Sequence, residues 1–122
     1  MDEFTNAAGG LGAEGACSVF VVDEMIPATA RPGYAALVMA YVRSGEPVTV
    51  SSDGVAALLI TSGGLDSAAI ASRRIIDEAG RLGLANTLRA GIALLEGDAA
   101  GAVGRAREAA TSGAAGGVAT AA

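Results

Sequence analysis

Apolar residues in this chain fall into short runs that turn residues separate. An unbroken apolar run with β-branched and aromatic members covers residues 17–24, which is typical of a central strand buried on both faces. Two shorter apolar runs, residues 47–50 and 55–60, flank the Ser-Ser-Asp-Gly turn at 51–54. Because Asp-Gly tolerates the positive φ angles of a tight turn, the pattern predicts a β-hairpin here.

Helical segments alternate with these strands. Pro32 suits the first turn of a helix that continues to about Arg43, where a Ser-Gly pair ends it. A long helix is predicted from about Asp66 to Leu82, followed by a strand at 87–95 and a weaker helix at 99–110. The predicted apolar face of the long helix comprises Ile70, Ile75, Ala79 and Leu82.

The order β-α-β-β-α-β-α is that of a ferredoxin-like, or palm, α+β fold. We therefore expect a four-stranded antiparallel sheet with the helices on one face. Residues 17–110 would form this domain, after a flexible N-terminal segment at 1–16. Residues 111–122 contain only Ala, Gly, Ser, Thr and one Val, which predicts a disordered tail.

The composition of the chain limits the number of domains, the binding partners and the cellular compartment that are possible. The chain has 122 residues, enough for one domain, and it is 52% hydrophobic but only 3% aromatic. Its net charge of −5 disfavours binding to nucleic acid. No apolar stretch approaches the ~20 residues of a membrane span, and the N-terminus carries no basic signal region. Cys17, the single cysteine, fits a buried thiol in a reducing cytoplasm.

Two aspartates are the candidate metal ligands. Asp23 ends the first apolar run, and Asp53 lies in the predicted hairpin turn. In the predicted fold the strands that they flank would be neighbours, so the two carboxylates could come together to hold Mg²⁺, as two-metal phosphoryl transfer requires. Asp53 is equally explained as a turn-former. The chain contains no histidine, P-loop or G-x-S-x-G motif, which excludes several other kinds of active site.

Placed on these elements, several short segments resemble the GGDEF domain of diguanylate cyclases. Phe-Val-Val-Asp at 20–23 resembles the family's first strand, whose final Asp binds metal. Ser-Ser-Asp-Gly-Val at 51–55 occupies the place of the G-G-D/E-E-F signature, and Thr-Leu-Arg-Ala-Gly-Ile-Ala at 87–93 resembles its T-x-S-x-G-x-A strand. Asp-Glu-Phe-Thr at 2–5 resembles its D-x-L-T opening. The resemblance implies a palm fold and a role in bacterial cyclic di-GMP signalling.

The departures from that family suggest a degenerate, shortened member. Ser51 and Ser52 replace the signature glycines, Gly54 replaces an acid, and the chain has no lysine for the phosphates. Residues 27–34 contain neither the Asn nor the Asp that would recognise guanine. A register shifted by one residue would remove the second metal acid altogether. The resemblance therefore predicts a domain that is not an enzyme.

A second site is implied by the same resemblance. Many such domains carry an inhibitory R-x-x-D site for cyclic di-GMP shortly before the signature. Arg43-Ser44-Gly45-Glu46 resembles it, with Glu in place of Asp and one residue less spacing. Arg43 could form bidentate bonds to guanine or phosphate, and Glu46 could accept from a guanine edge. The alternative is a helix-terminal arginine beside a loop glutamate.

The resulting prediction is a non-catalytic, cytoplasmic regulatory domain. It would bind a partner protein or form a homodimer, and it would also take cyclic di-GMP or a guanine nucleotide, with Mg²⁺ only if the metal site survives. The alternative is a roadblock/LC7-like dimerising module that partners a bacterial GTPase, which residues 35–82 also resemble. The position of the strand at 17–24 separates the two, because only the cyclase-like fold places it at the centre of the sheet.

Overall fold

The structure is a computed structural model, and it describes residues 15–22, 26–41, 47–50, 55–60, 64–83, 87–95, 99–113 and 116–121. These residues form five strands and three α-helices, with a short 3-10 helix at Ala28–Ala30 before the first α-helix. In chain order the elements are β1 (Ala16–Val22), α1 (Arg31–Ala40), β2 (Val48–Val50), β3 (Ala56–Ile60), α2 (Gly64–Arg81), β4 (Leu88–Leu94), α3 (Ala99–Ser112) and β5 (Val118–Thr120).

The strands form one sheet in the order β2-β3-β1-β4-β5. β1 pairs antiparallel with both β3 and β4, β2 pairs antiparallel with β3, and β5 pairs parallel with β4. β1 is thus the middle strand, and all its residues except Val21 are buried. The prediction of a central strand at this apolar run is confirmed. A strand with helices on both of its faces has no solvated side, which explains why the run is apolar throughout.

α1 and α2 cover one face of the sheet. Phe20 of β1 and Leu58 of β3 belong to the same buried cluster as Val38 of α1 and Ile75 of α2. On α2, buried positions recur every three or four residues, as expected of an amphipathic helix. These positions are Ala68, Ala71, Ser72, Ile75, Ile76 and Ala79. The predicted apolar face of this helix is wrong at Ile70 and Leu82, which are 69% and 57% exposed.

α3 covers the opposite face with small side chains. Ala102, Ala106 and Ala110 are fully buried at a spacing of four residues, which places them on one side of the helix. Gly91 of β4 lies beneath this stripe, because a Cβ atom there would stand 1.8 Å from the carbonyl oxygen of Ala106. The helix backbone therefore rests directly on the strand.

The α+β class and the predicted order of the first seven elements are confirmed. Two features differ from the expectation of a four-stranded sheet with its helices on one face. α3 lies on the other face from α1 and α2. Residues 118–120 form β5 beside β4 and are not a disordered tail, and their parallel pairing makes the sheet mixed. Residues 1–14, most of the predicted flexible N-terminal segment, lie outside the described residues.

Candidate functional site

The four predicted site residues lie outside the part of the chain that the structure describes. Asp23 follows β1 directly, Asp53 falls between β2 and β3, and Arg43 and Glu46 fall between α1 and β2. The elements that carry these connections are described, so the sheet shows which connections share an end. Their roles remain predictions.

The connections that carry Asp23 and Asp53 leave the same end of the sheet. β1 and β3 are antiparallel neighbours, with Phe20 paired to Ala56. β1 therefore finishes where β3 begins, and β2 finishes there too because it is paired antiparallel to β3 with Val50 opposite Ala56. We call this the hairpin end of the sheet. The predicted pairing of the two hairpin strands is confirmed, whereas the turn itself lies outside the described residues.

The connection that carries Arg43 and Glu46 belongs to the opposite end. β2 runs parallel to β1, since both are antiparallel to β3. Its first residue, Val48, is therefore at the end of the sheet where β1 starts. Tyr41, at the end of α1, is held by Arg74 of α2, whose Nη2 donates to the Tyr41 carbonyl oxygen at 3.2 Å. The fold thus groups the two aspartate connections and separates them from the arginine–glutamate connection.

Arg89 is a basic residue at the hairpin end that sequence reasoning did not single out. It lies opposite Val21 on β4, one pair before the end of β1, and its side chain is half-buried. Its Nη1 donates to the carbonyl oxygen of Thr111 at 3.2 Å, in the last turn of α3. A cation there stabilises the negative end of the helix dipole. The sequence signal that could have identified Arg89 is its position as a charged residue inside an otherwise apolar strand.

Cys17 does not contribute reactive chemistry. The side chain is fully buried in β1, between Leu59 of β3 and Ala93 of β4. Burial raises the pKa of this thiol to about 11, although a backbone hydrogen bond at Ala93 and the charge of Arg105 oppose the shift. At neutral pH the thiolate, which is the nucleophile and metal ligand, is therefore scarce. Among the described residues there is no cluster of three or more potential metal-binding side chains.

A cleft of about 360 Å³ opens between α3 and β5. It is lined by Arg105, Glu108, Ala109, Ser112, Thr120 and Ala121. Sequence reasoning missed it because it assigned the last three of these residues to a disordered tail. None of the helices in the described residues combines the length and the apolar composition that a membrane span requires.

Solved GGDEF domains share this fold. Over 97% of its length the chain matches the GGDEF domain of TpbB (YfiN) from Pseudomonas aeruginosa, with 20% identity, a TM-score of 0.69 and 84% of that chain covered. It also matches the coiled coil and GGDEF domain of DgcB from Caulobacter crescentus in complex with c-di-GMP, with 16% identity and a TM-score of 0.77 over 98% of this chain and 78% of that one.

A third match is the active GGEEF domain of a diguanylate cyclase from Vibrio cholerae. It has 14% identity and a TM-score of 0.72, and the alignment covers 98% of this chain and 92% of that chain. No protein-family profile matches the sequence. No curated protein matches it significantly. The chain thus has a GGDEF-like fold, and at these identities the likeness extends to the fold alone.

The comparisons correct one prediction. The chain was expected not to be an enzyme because its signature looked degenerate and its length short. The solved structures that share its fold contain GGDEF domains, and one of them is the active GGEEF domain of a diguanylate cyclase, of which this chain covers 92%. The prediction that the chain is not an enzyme because its signature is degenerate is therefore wrong. The central position of β1 also favours the cyclase-like fold over the roadblock/LC7 alternative.

Proposed function

We propose that this chain is a GGDEF-type regulatory domain of cyclic di-GMP signalling that binds guanine nucleotides. One observation carries the proposal: the central strand β1 and the β2–β3 hairpin finish at the same end of the sheet, and each leads into one of the two aspartates. The DgcB structure of the same fold contains c-di-GMP, which supports this choice of ligand.

Asp23 and Asp53 would hold Mg²⁺ at the hairpin end. Asp23 is the first residue after β1, and Asp53 belongs to the β2–β3 connection, which leaves the same end of the sheet. Carboxylates on two neighbouring connections at one end of the sheet could share one cation. Carboxylate oxygens are the ligands that Mg²⁺ prefers, so the donor set fits, and bound Mg²⁺ would neutralise phosphate charge.

Arg43 and Glu46 would contact cyclic di-GMP at the other end of the sheet. Their connection joins β2 where β1 starts, so this second site would be separate from the metal-binding end. A ligand bound there could alter the hairpin end only through the sheet or α1. We infer that the domain works in the cytoplasm, where its nucleotides are found, and passes its signal to a partner protein.

Isothermal titration of the purified chain with cyclic di-GMP, and separately with GTP and Mg²⁺, tests the proposal. Asp23→Ala should abolish the heat of GTP binding, because the cation that holds the phosphates loses a ligand. Arg43→Ala should abolish the heat of cyclic di-GMP binding and leave GTP unaffected. Asp66→Asn is the matched control, since it removes an exposed carboxylate from the first turn of α2 and should change neither titration.

Turnover of GTP is followed in the same samples by chromatography of the products. Formation of cyclic di-GMP that Asp23→Ala prevents would extend the proposal to catalysis at the hairpin end. If neither nucleotide gives heat with the wild-type chain, the nucleotide-binding proposal is rejected. Binding that survives both Asp23→Ala and Arg43→Ala would also reject the assignment of these residues.

A further inference from the structure

β5 is an edge strand whose outer side has no neighbouring strand in the described part of the chain. On its inner side, the Gly117 carbonyl oxygen accepts from the Ala90 amide and the Ala121 amide donates to the Ile92 carbonyl. In a β-ladder, alternate residues turn their backbone polar groups to opposite sides. Val118 and Thr120 therefore direct their N–H and C=O groups to the open edge.

The sequence leaves this edge unprotected. Natural edge strands are commonly guarded by charged side chains or proline. Residues 111–122 contain neither. The opposite edge strand, β2, is preceded directly by Glu46 and Pro47. An unguarded edge with outward-facing backbone groups is a template for another strand.

We propose that two copies of this chain pair through β5, antiparallel, about a two-fold axis at Ala119. Val118 and Thr120 lie symmetrically on either side of Ala119. Val118 would exchange two hydrogen bonds with the partner subunit's Thr120, and Thr120 would exchange two with the partner subunit's Val118. The backbone groups that face outward would then all be paired, and the two sheets would join into one.

The charges beside β5 favour a second copy as the occupant. The chain carries a net charge of −5, so two copies repel each other overall. The α3 side of the cleft carries one cation and one anion, Arg105 and Glu108, next to the uncharged strand. In a two-fold dimer, a surface that carries one positive and one negative charge can place each charge opposite the opposite charge of the second copy. A purely acidic or purely basic peptide would instead be repelled by one of the two charges. Arg105 is held in place by its Nη2 bond to the Leu94 carbonyl oxygen at 3.1 Å.

Sedimentation equilibrium over a range of concentrations tests the dimer. Thr120→Pro removes the outward N–H and leaves the bonds of β5 to β4 in place. It should weaken dimerisation by about 30-fold, because two intermolecular hydrogen bonds are lost per dimer. Thr120→Ser keeps the N–H and is the matched control, with unchanged dimerisation expected. A urea unfolding midpoint for each variant shows whether the monomer fold is retained.

A charge exchange gives an independent test. Arg105→Glu alone should weaken the dimer, because each subunit then presents two acidic side chains to the two acidic side chains of the other subunit. Arg105→Glu combined with Glu108→Arg should restore dimerisation, because each subunit again carries one charge of each sign. A wild-type chain that stays monomeric at all concentrations overturns the proposal, as does a dimer that tolerates Thr120→Pro. None of these outcomes depends on nucleotide binding, so the dimer and the proposed function fail separately.

Discussion

At position 91, glycine is required by the close approach of a helix. A Cβ atom there would lie 1.8 Å from the Ala106 carbonyl oxygen and 2.7 Å from the Ala110 amide nitrogen. Both are backbone atoms, so no side-chain rotation can relieve the overlap, and α3 must move away from the sheet. Gly91→Ala should therefore lower the free energy of unfolding by about 3 kcal/mol, the upper range for overpacking in a core. Urea unfolding followed by circular dichroism measures this change.

Gly104 provides the matched control on the same helix. A Cβ atom there meets no heavy atom within 4 Å, and the residue is exposed. Gly104→Ala should raise the free energy of unfolding by about 0.5–1 kcal/mol, since alanine loses less backbone entropy in a helix. If Gly91→Ala proved as mild as Gly104→Ala, α3 would not rest on β4 as described.

At the scale of elements, a pair of buried serines connects α2 to β1. Ser18 and Ser72 are both fully buried, and their hydroxyls are hydrogen-bonded to each other. Ser72 Oγ also donates to the Ala68 carbonyl oxygen at 2.7 Å. Because a serine hydroxyl has one proton, Ser18 must be the donor and Ser72 Oγ the acceptor in the bond between them.

The direction of that bond predicts unequal effects of two substitutions. Ser72→Ala leaves the Ser18 hydroxyl buried without its acceptor and should cost about 2 kcal/mol of unfolding free energy. Ser18→Ala leaves Ser72 bonded to Ala68 and should cost less, about 1 kcal/mol. The double variant should be no less stable than Ser72→Ala alone. A double-mutant cycle in urea checks this, and equal costs for the two single variants would contradict the assigned direction.

The strands β1 and β5 show which elements the sequence could predict and which it could not. β1 was predictable because its continuous apolar run is what a strand buried on both faces requires. β5 was not, because Val118, Ala119 and Thr120 have the composition of a flexible tail and gain their order from pairing with β4. Ile70 and Leu82 were misassigned because four of the six buried positions on α2 are alanine or serine, which hydrophobicity patterns weight lightly.

At the scale of the whole molecule, the candidate site depends on topology more than on local sequence. Each aspartate could be identified from its own surroundings, one after an apolar run and the other in an Asp-Gly turn. That their strands are neighbours was predicted from the fold class and not from either segment alone, and the sheet confirms it with Phe20 opposite Ala56. The same topology separates Arg43 and Glu46 from them, although all four residues lie within about thirty positions of one another in sequence.

Cys17 reports on the whole fold because it is fully buried in the middle strand of the sheet. Its thiol has a pKa of about 11 in the folded protein, against the ordinary value of 9.0, because burial disfavours the thiolate. Below pH 9 the Cys17 thiol is protonated in both the folded and the unfolded chain, so the free energy of unfolding does not depend on its titration. Between pH 9 and 11 the unfolded chain releases the proton first, so the folded state loses stability as the pH rises.

The expected loss across that pH range is about 2–3 kcal/mol, from a shift of about two pKa units at 1.36 kcal/mol each. Urea unfolding of the wild-type chain and of Cys17→Ala at pH 8, 9, 10 and 11 measures it. Cys17→Ala has a smaller side chain in the core and should be less stable at pH 8, but the difference between the proteins should narrow or reverse above pH 9. A constant difference across the series would mean that the thiol titrates alike in both states, and that β1 is not buried at the centre of the sheet.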